Sequence, residues 1–98
     1  MPLHPAVETA VRDRFRPADV DTVLAALEAA ALPLGSRAAP SERPRIQLAI
    51  VKLAEGDPAR FREALRLAEL DWRDTLLAAG FAHADWREAI ARAGMRAP

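Results

Sequence analysis

A short helix signal occurs twice near the end of this chain, the second copy fourteen residues after the first. The tetrapeptide DWRD beginning at Asp71 matches DWRE beginning at Asp85, and each copy closes on a glycine, Gly80 or Gly94. Aspartate is a preferred N-cap residue, because its carboxylate accepts a free backbone N–H of the first helical turn. Glycine readily takes the left-handed conformation that ends a helix. The repeat therefore predicts two short, aspartate-capped helices that must pack on a larger helical body to be stable.

Two further features strengthen each copy of the signal. Three residues after each cap stands an acidic residue, Asp74 or Glu88, which predicts a carboxylate that reaches back to the cap as in a capping box. An apolar residue, Phe81 or Met95, follows each closing glycine, as in a Schellman turn.

Proline and glycine divide the rest of the chain into further helices. The apolar spacing predicts helices over Pro5–Phe15, Ala18–Ala31 and Arg45–Glu55, and a fourth that is capped by Asp57 and begins at Pro58. Alanine is abundant and tyrosine is absent, so the composition favours helix over strand. We therefore predict an all-α fold, a small bundle of five or six short helices.

The stretch from 32 to 44 is rich in proline, glycine and serine, which predicts a flexible linker. The pieces on either side of it are too small to be separate domains. We therefore expect residues 1–98 to form one helical domain with a linker near 32–44.

The third helix is apolar on almost every face, with Gln47 and Lys52 as the polar residues between Ile46 and Ala54. A buried strand is the competing interpretation, but the Gly-Asp-Pro stop at 56–58 and the helical neighbours favour a helix. Such a helix belongs in a core or an interface. Either the neighbouring helices cover it, or a face stays uncovered and the chain associates with another protein or with a second copy as a homodimer.

Most catalytic and metal-binding patterns are missing from the sequence. There is no cysteine, His4 and His83 lie at opposite ends, and Ser36 and Ser41 lack a nucleophile-elbow motif. We expect no metal, no cofactor and no enzymatic activity, although an enzyme without a cofactor stays open because acid and base residues need not be adjacent in sequence. The chain has no long apolar run and no signal-peptide pattern, so we expect a cytoplasmic protein without a membrane span.

The repeated tryptophans and arginines are the candidate partner-contact residues: Trp72, Arg73, Trp86 and Arg87. Tryptophan and arginine are favoured anchors of protein interfaces. The alternative interpretation is that the two tryptophans are core residues at the first position of each helix. The exposure of the tryptophan side chains decides between the two.

Residues 72–93 also have the outline of a helix-turn-helix, which predicts DNA binding as an alternative function. Against this, Asp85 and Glu88 lie at the end of the second helix that would meet the bases. The fourteen basic and fourteen acidic side chains also give a formal net charge of zero, so long-range attraction to nucleic acid is weak. The leading prediction is therefore a non-enzymatic protein–protein interaction or self-association module.

Segments from Glu42-Arg43 through Arg45–Asp57 to Asp71–Leu76 resemble a group of small bacterial proteins. Its members share an "ER…QLAILKLA-G-D" segment and a later "D-[YW]-R-D" segment, and Trp72 stands where the group often has tyrosine. The resemblance covers about half of the chain and implies a shared helical fold and a bacterial source. The group has no established activity, so the resemblance implies no catalytic or binding residues.

Overall fold

The computed structural model describes residues 3–35 and 38–98, and within these ranges it has five α-helices and no strand. The helices are α1 (Pro5–Arg14), α2 (Pro17–Ala29), α3 (Glu42–Ala54), α4 (Pro58–Ala79) and α5 (Trp86–Arg92). The predicted all-α fold is confirmed. In the part of the chain that the structure describes, no helix combines the length and the apolar character needed to cross a lipid bilayer.

Helix α3 lies at the centre of the fold and packs against α4 and α1. Its apolar side chains between Ile46 and Ala54 are fully buried, except for the half-buried Leu53. The helix predicted from the apolar run is therefore confirmed, and the competing strand is wrong. The chain's own helices cover α3, which agrees with the first of the two alternatives stated for this helix.

Helix α3 begins at Glu42, three residues before the predicted start at Arg45. The end of the predicted 32–44 linker is therefore helical. Pro44 is tolerated there, because backbone N–H groups in the first helical turn have no partner within the helix. Leu32, at the other end of the predicted linker, is buried in the core. Ser36 and Arg37, in its middle, lie outside the described residues, and the predicted flexibility stays a prediction.

Both predicted glycine stops are confirmed. Gly80 and Gly94 have φ of 80° and 84°. After Gly80, the N–H of Phe81 donates to the carbonyl of Leu76 at 2.9 Å, and the N–H of Met95 makes the corresponding bond at the end of α5. This is the Schellman pattern, and both apolar residues that follow the glycines are buried.

The predicted cap at Asp71 is confirmed, although α4 continues on both sides of it. Asp71 has φ of −154° and ψ of 89°, which breaks the helix. Its Oδ1 accepts the backbone N–H groups of Arg73 at 3.1 Å and Asp74 at 3.3 Å. Helix α4 is therefore two helical segments joined at a kink, and the second segment starts at Trp72.

The predicted cap at Asp85 is wrong. Its backbone, with φ of −87° and ψ of 20°, lacks the extended conformation of an N-cap, and its side chain accepts no capping hydrogen bond. The carboxylate instead pairs with Arg92, at 3.2 Å from Oδ2 to Nη2. Glu88 also turns toward Arg92, at 3.8 Å. The predicted capping box of this copy is therefore replaced by ion pairs along α5.

Cationic side chains from α1 and α3 bind carbonyl groups near the ends of α4 and α5. Lys52 donates from Nζ to the carbonyl of Ala79 at 2.6 Å, and Arg14 donates to the carbonyl of Ala93. The last carbonyls of a helix have no partner within it. These bonds attach the ends of α4 and α5 to α3 and α1.

The turn between α3 and α4 passes very close to the end of α1. Gly56 has φ of 76°, and a Cβ placed on it would lie 2.6 Å from the backbone oxygen of Arg14. Only glycine fits this approach without movement of the backbone. The absence of a side chain at Gly56 therefore allows the α3–α4 turn to pack directly against the end of α1.

Candidate interaction site

A surface pocket of about 300 Å³ opens where α3, the second segment of α4 and the following loop meet. We call it the Arg45 pocket. Its lining consists of two arginines, one tryptophan and three aliphatic side chains: Arg45, Trp72, Arg73, Leu76, Leu77 and Ala82. The kink at Asp71 places Trp72 and Arg73 at this edge of α4, because it begins a new helical turn there. The pocket therefore combines positive charge with apolar surface.

Arg45 is held in a defined orientation at the wall of this pocket. Its Nε–H donates to the carbonyl of Phe81 at 2.8 Å. Its guanidinium carbon lies 4.9 Å from the centroid of the Trp86 ring, within cation–π range. Within residues 3–35 and 38–98, neither Nη atom of Arg45 donates to an acceptor. The two Nη groups are thus left to bind an incoming acceptor.

The charge of Arg45 is only partly compensated. Burial lowers the pKa of its guanidinium, the charge of Glu42 raises this pKa, and the charge of Arg87 lowers it again. Arginine nevertheless stays protonated at neutral pH. Among the described residues, no carboxylate lies within 4 Å of Arg45. The charge of an anion in the pocket would therefore offset the cost of burying the Arg45 charge and its repulsion by Arg87.

The structure brings two of the four predicted contact residues, Trp72 and Arg73, into the pocket itself. Trp72 is half-buried, and the Arg73 guanidinium lies 4.9 Å from its ring centroid. Trp86 is only 8% exposed, so it is a core residue as the alternative interpretation predicted. It is linked to the pocket by its contact with Arg45. Arg87 is exposed and lies 4.1 Å from the Trp86 ring centroid, near the pocket but not in its lining.

Sequence reasoning missed Arg45 and Leu77. Arg45 precedes the apolar run of α3, and in the sequence it reads only as the start of that helix. The residues that complete the pocket follow 27 or more positions later, so no local spacing connects them. Leu77 reads as one more apolar residue of a helix, yet it is 58% exposed. The repeat does distinguish Leu76, which matches Ile90 fourteen positions later; both of these residues are buried.

The acidic residues closest in sequence to the predicted contacts are largely engaged. Asp71 caps the second segment of α4. Asp85 and Glu88 both pair with Arg92. None of them lies within 4 Å of a nitrogen of Arg45 or Arg73 as an ion pair.

A larger depression, of about 450 Å³, lies between the start of α1 and the residues before α3. Its deepest polar group is Gln47, which is 3% exposed and whose Nε2 donates to the carbonyl of Leu27 at 3.5 Å. His4, also in its lining, accepts the backbone N–H of Ala6 on Nδ1 and caps α1. These polar groups already have structural roles, in contrast to the open Nη groups of Arg45.

The site contains no recognisable catalytic or metal-binding constellation. In the described ranges, no three of the histidine, aspartate and glutamate side chains are grouped to hold a metal ion. Comparisons of the chain with protein-family models, with curated proteins and with solved structures found no match. The resemblance to the bacterial helical group therefore stays a prediction, and a functional assignment depends on the geometry of the Arg45 pocket.

Proposed function

We propose that this protein is a non-catalytic, cytoplasmic interaction module that binds another protein through the Arg45 pocket. The observation that carries the proposal is the fixed orientation of the Arg45 side chain together with its open hydrogen-bond donors. Its guanidinium is fixed by Phe81 and Trp86 and keeps two open Nη donors. A side chain that is already oriented loses little conformational entropy when it binds.

The apolar lining supports a protein partner. Leu77 is 58% exposed and Trp72 is half-buried, so the free protein leaves apolar surface in water at this position. Tryptophan and arginine are enriched among the residues that dominate binding energy in protein interfaces. A partner that covers the pocket gains from apolar burial and from the arginine charge together.

DNA binding by residues 72–93 is less well supported. The second helix of that unit is only seven residues long, and its first turn holds exposed Glu88. Trp86, at its start, is buried and does not face a groove. Arg92 is already paired with Asp85 and Glu88. The covered faces of α3 also remove the reason to expect a homodimer through that helix.

Site-specific photo-crosslinking in the native cells tests the proposal. A photoreactive phenylalanine analogue replaces Leu77 at the pocket. In the matched control it replaces Leu70, an exposed leucine on α4 before the kink, which is 79% exposed and lies outside the pocket. We expect covalent adducts with a different protein when the analogue is at position 77. The yield of these adducts should be at least several-fold lower at position 70, and the adducts at position 77 should disappear when Arg45→Gln is added.

Three results would contradict the proposal. These are adducts of equal strength at both positions, adducts only with nucleic acid, and adducts only with a second copy of the chain. Circular dichroism of each variant verifies that the fold is retained.

A further inference from the structure

We infer that the Arg45 pocket binds an acidic linear segment of the partner, with one apolar side chain against Leu77 and Trp72 and a carboxylate on Arg45. This inference rests on the proposed function and names the chemistry of the occupant. Three properties of the pocket support it: its donors, its size and its electrostatic surroundings.

The donors favour a carboxylate. The two Nη groups of Arg45 form a planar fork that matches the two oxygens of a carboxylate. Arg73 lines the same pocket, is exposed, and has no carboxylate within 4 Å among the described residues. Two guanidinium groups therefore line one small opening with no described carboxylate within 4 Å, and the charge of Glu42 acts on Arg45 only from a longer distance.

The size favours a side chain of a partner. The pocket volume of about 300 Å³ is at the lower limit of small-molecule sites, which span about 300–1,000 Å³. The aliphatic wall of Leu76, Leu77 and Ala82 suits one aliphatic or aromatic residue. An extended segment can place such a residue in the pocket and a neighbouring acidic residue at its rim.

The surroundings favour a short segment with few charges over a nucleic acid. Asp74 and Glu88 directly follow Arg73 and Arg87 in the chain and are exposed, although Glu88 is also 3.8 Å from Arg92. Like charges brought close to each other destabilise a complex. A phosphate backbone would carry charge past these carboxylates, whereas one or two carboxylates of a peptide can avoid them.

Fluorescence anisotropy with labelled synthetic peptides tests the inference directly. The probe is a short blocked peptide with a central leucine flanked by glutamates, used with the whole chain at low ionic strength. One matched peptide replaces each glutamate by glutamine, and another replaces the leucine by serine. A duplex DNA of random sequence serves as the polyanion. We expect binding of the acidic leucine peptide at concentrations up to about 1 mM, and at least about fivefold weaker binding of either matched peptide and of DNA.

Variants of the chain locate the binding. Arg45→Gln removes the fork and should weaken peptide binding about tenfold or more, as the loss of a charged hydrogen bond implies. Arg45→Lys keeps the charge without the fork and should give an intermediate loss. Arg73→Gln disturbs no backbone hydrogen bond of the described chain, so it tests the pocket even if Arg45→Gln destabilises the fold. Arg12→Gln, an equal charge loss on the exposed face of α1, should change binding less than twofold.

The outcomes separate the two proposals. If the acidic peptide and its neutral match bind equally, or if DNA binds more tightly than the peptide, the inferred occupant is wrong. If photo-crosslinking at position 77 still gives adducts with another protein in that case, the proposed function is retained, and the pocket binds a segment of different chemistry. If peptide binding fails and the adducts are also missing, the proposed function falls as well.

Discussion

Replacing Gly56 with alanine should destabilise the fold more than the same replacement at Gly80, although the two glycines have almost the same backbone conformation. Their φ angles are 76° and 80°. Alanine in the left-handed region costs about 1–2 kcal/mol at either position. The two positions differ in what a new Cβ would meet, and that difference isolates the close approach between α1 and the α3–α4 turn.

The magnitude follows from the contact distances. At Gly56 the Cβ would lie 2.6 Å from the backbone oxygen of Arg14, a distance that real Cβ atoms essentially never show, so the backbone must shift. Forced shifts of a packed backbone cost about 1–3 kcal/mol. At Gly80 the nearest atom would be Nζ of Lys52 at 3.9 Å, an ordinary contact. We therefore expect a loss of about 1–2 kcal/mol for Gly80→Ala and about 2–5 kcal/mol for Gly56→Ala.

Urea denaturation followed by far-UV circular dichroism measures both losses. An extra 1 kcal/mol also lowers Tm by about 4–8 °C in a domain of this size. Gly35→Ala is the baseline, because no atom lies within 4 Å of a Cβ at that position. If Gly56→Ala and Gly80→Ala differ by less than about 0.5 kcal/mol, a normal margin for mutational comparisons, the close approach has no energetic effect and the reasoning is refuted.

Two further comparisons use neighbouring or repeated residues as their own controls. Asp71→Ala should cost about 1 kcal/mol because it removes a helix cap, whereas Asp85→Ala should cost at most about 0.5 kcal/mol because it removes only an exposed ion pair; equal losses in urea denaturation would contradict the assignment of the caps. Leu76→Ala should cost about 2–5 kcal/mol as a buried leucine, whereas Leu77→Ala should cost less than about 1 kcal/mol and weaken binding of the acidic leucine peptide. A large stability loss at Leu77 would show that this side chain serves the core.

Much of the fold was accessible from the sequence because the signals that define it are local. A cap, a closing glycine and the apolar residue after it lie within about ten residues, and the stops at Gly80 and Gly94 form as their residues predict. The apolar run of α3 likewise predicts a buried helix from its own composition.

The sequence-based predictions fail where the structure depends on a residue far away in the chain, or where a side chain has a second possible partner. At Asp85 the sequence offers a cap, but Arg92 competes for the same carboxylate, and the outcome depends on the backbone angles at the start of α5. The Arg45 pocket depends on contacts between residues that are 27 or more positions apart. Neither outcome is encoded in a local pattern.

The hydrogen bond from Lys52 to Ala79 has a practical consequence. Lys52 is the sole lysine of the 98-residue sequence, and its amine is committed to the end of α4 at 2.6 Å. Acylation removes the charge and the donor together, so the amine reacts when this contact opens locally. The rate of lysine acylation under native conditions is therefore an intrinsic reporter of how often the contact between Lys52 and the end of α4 opens.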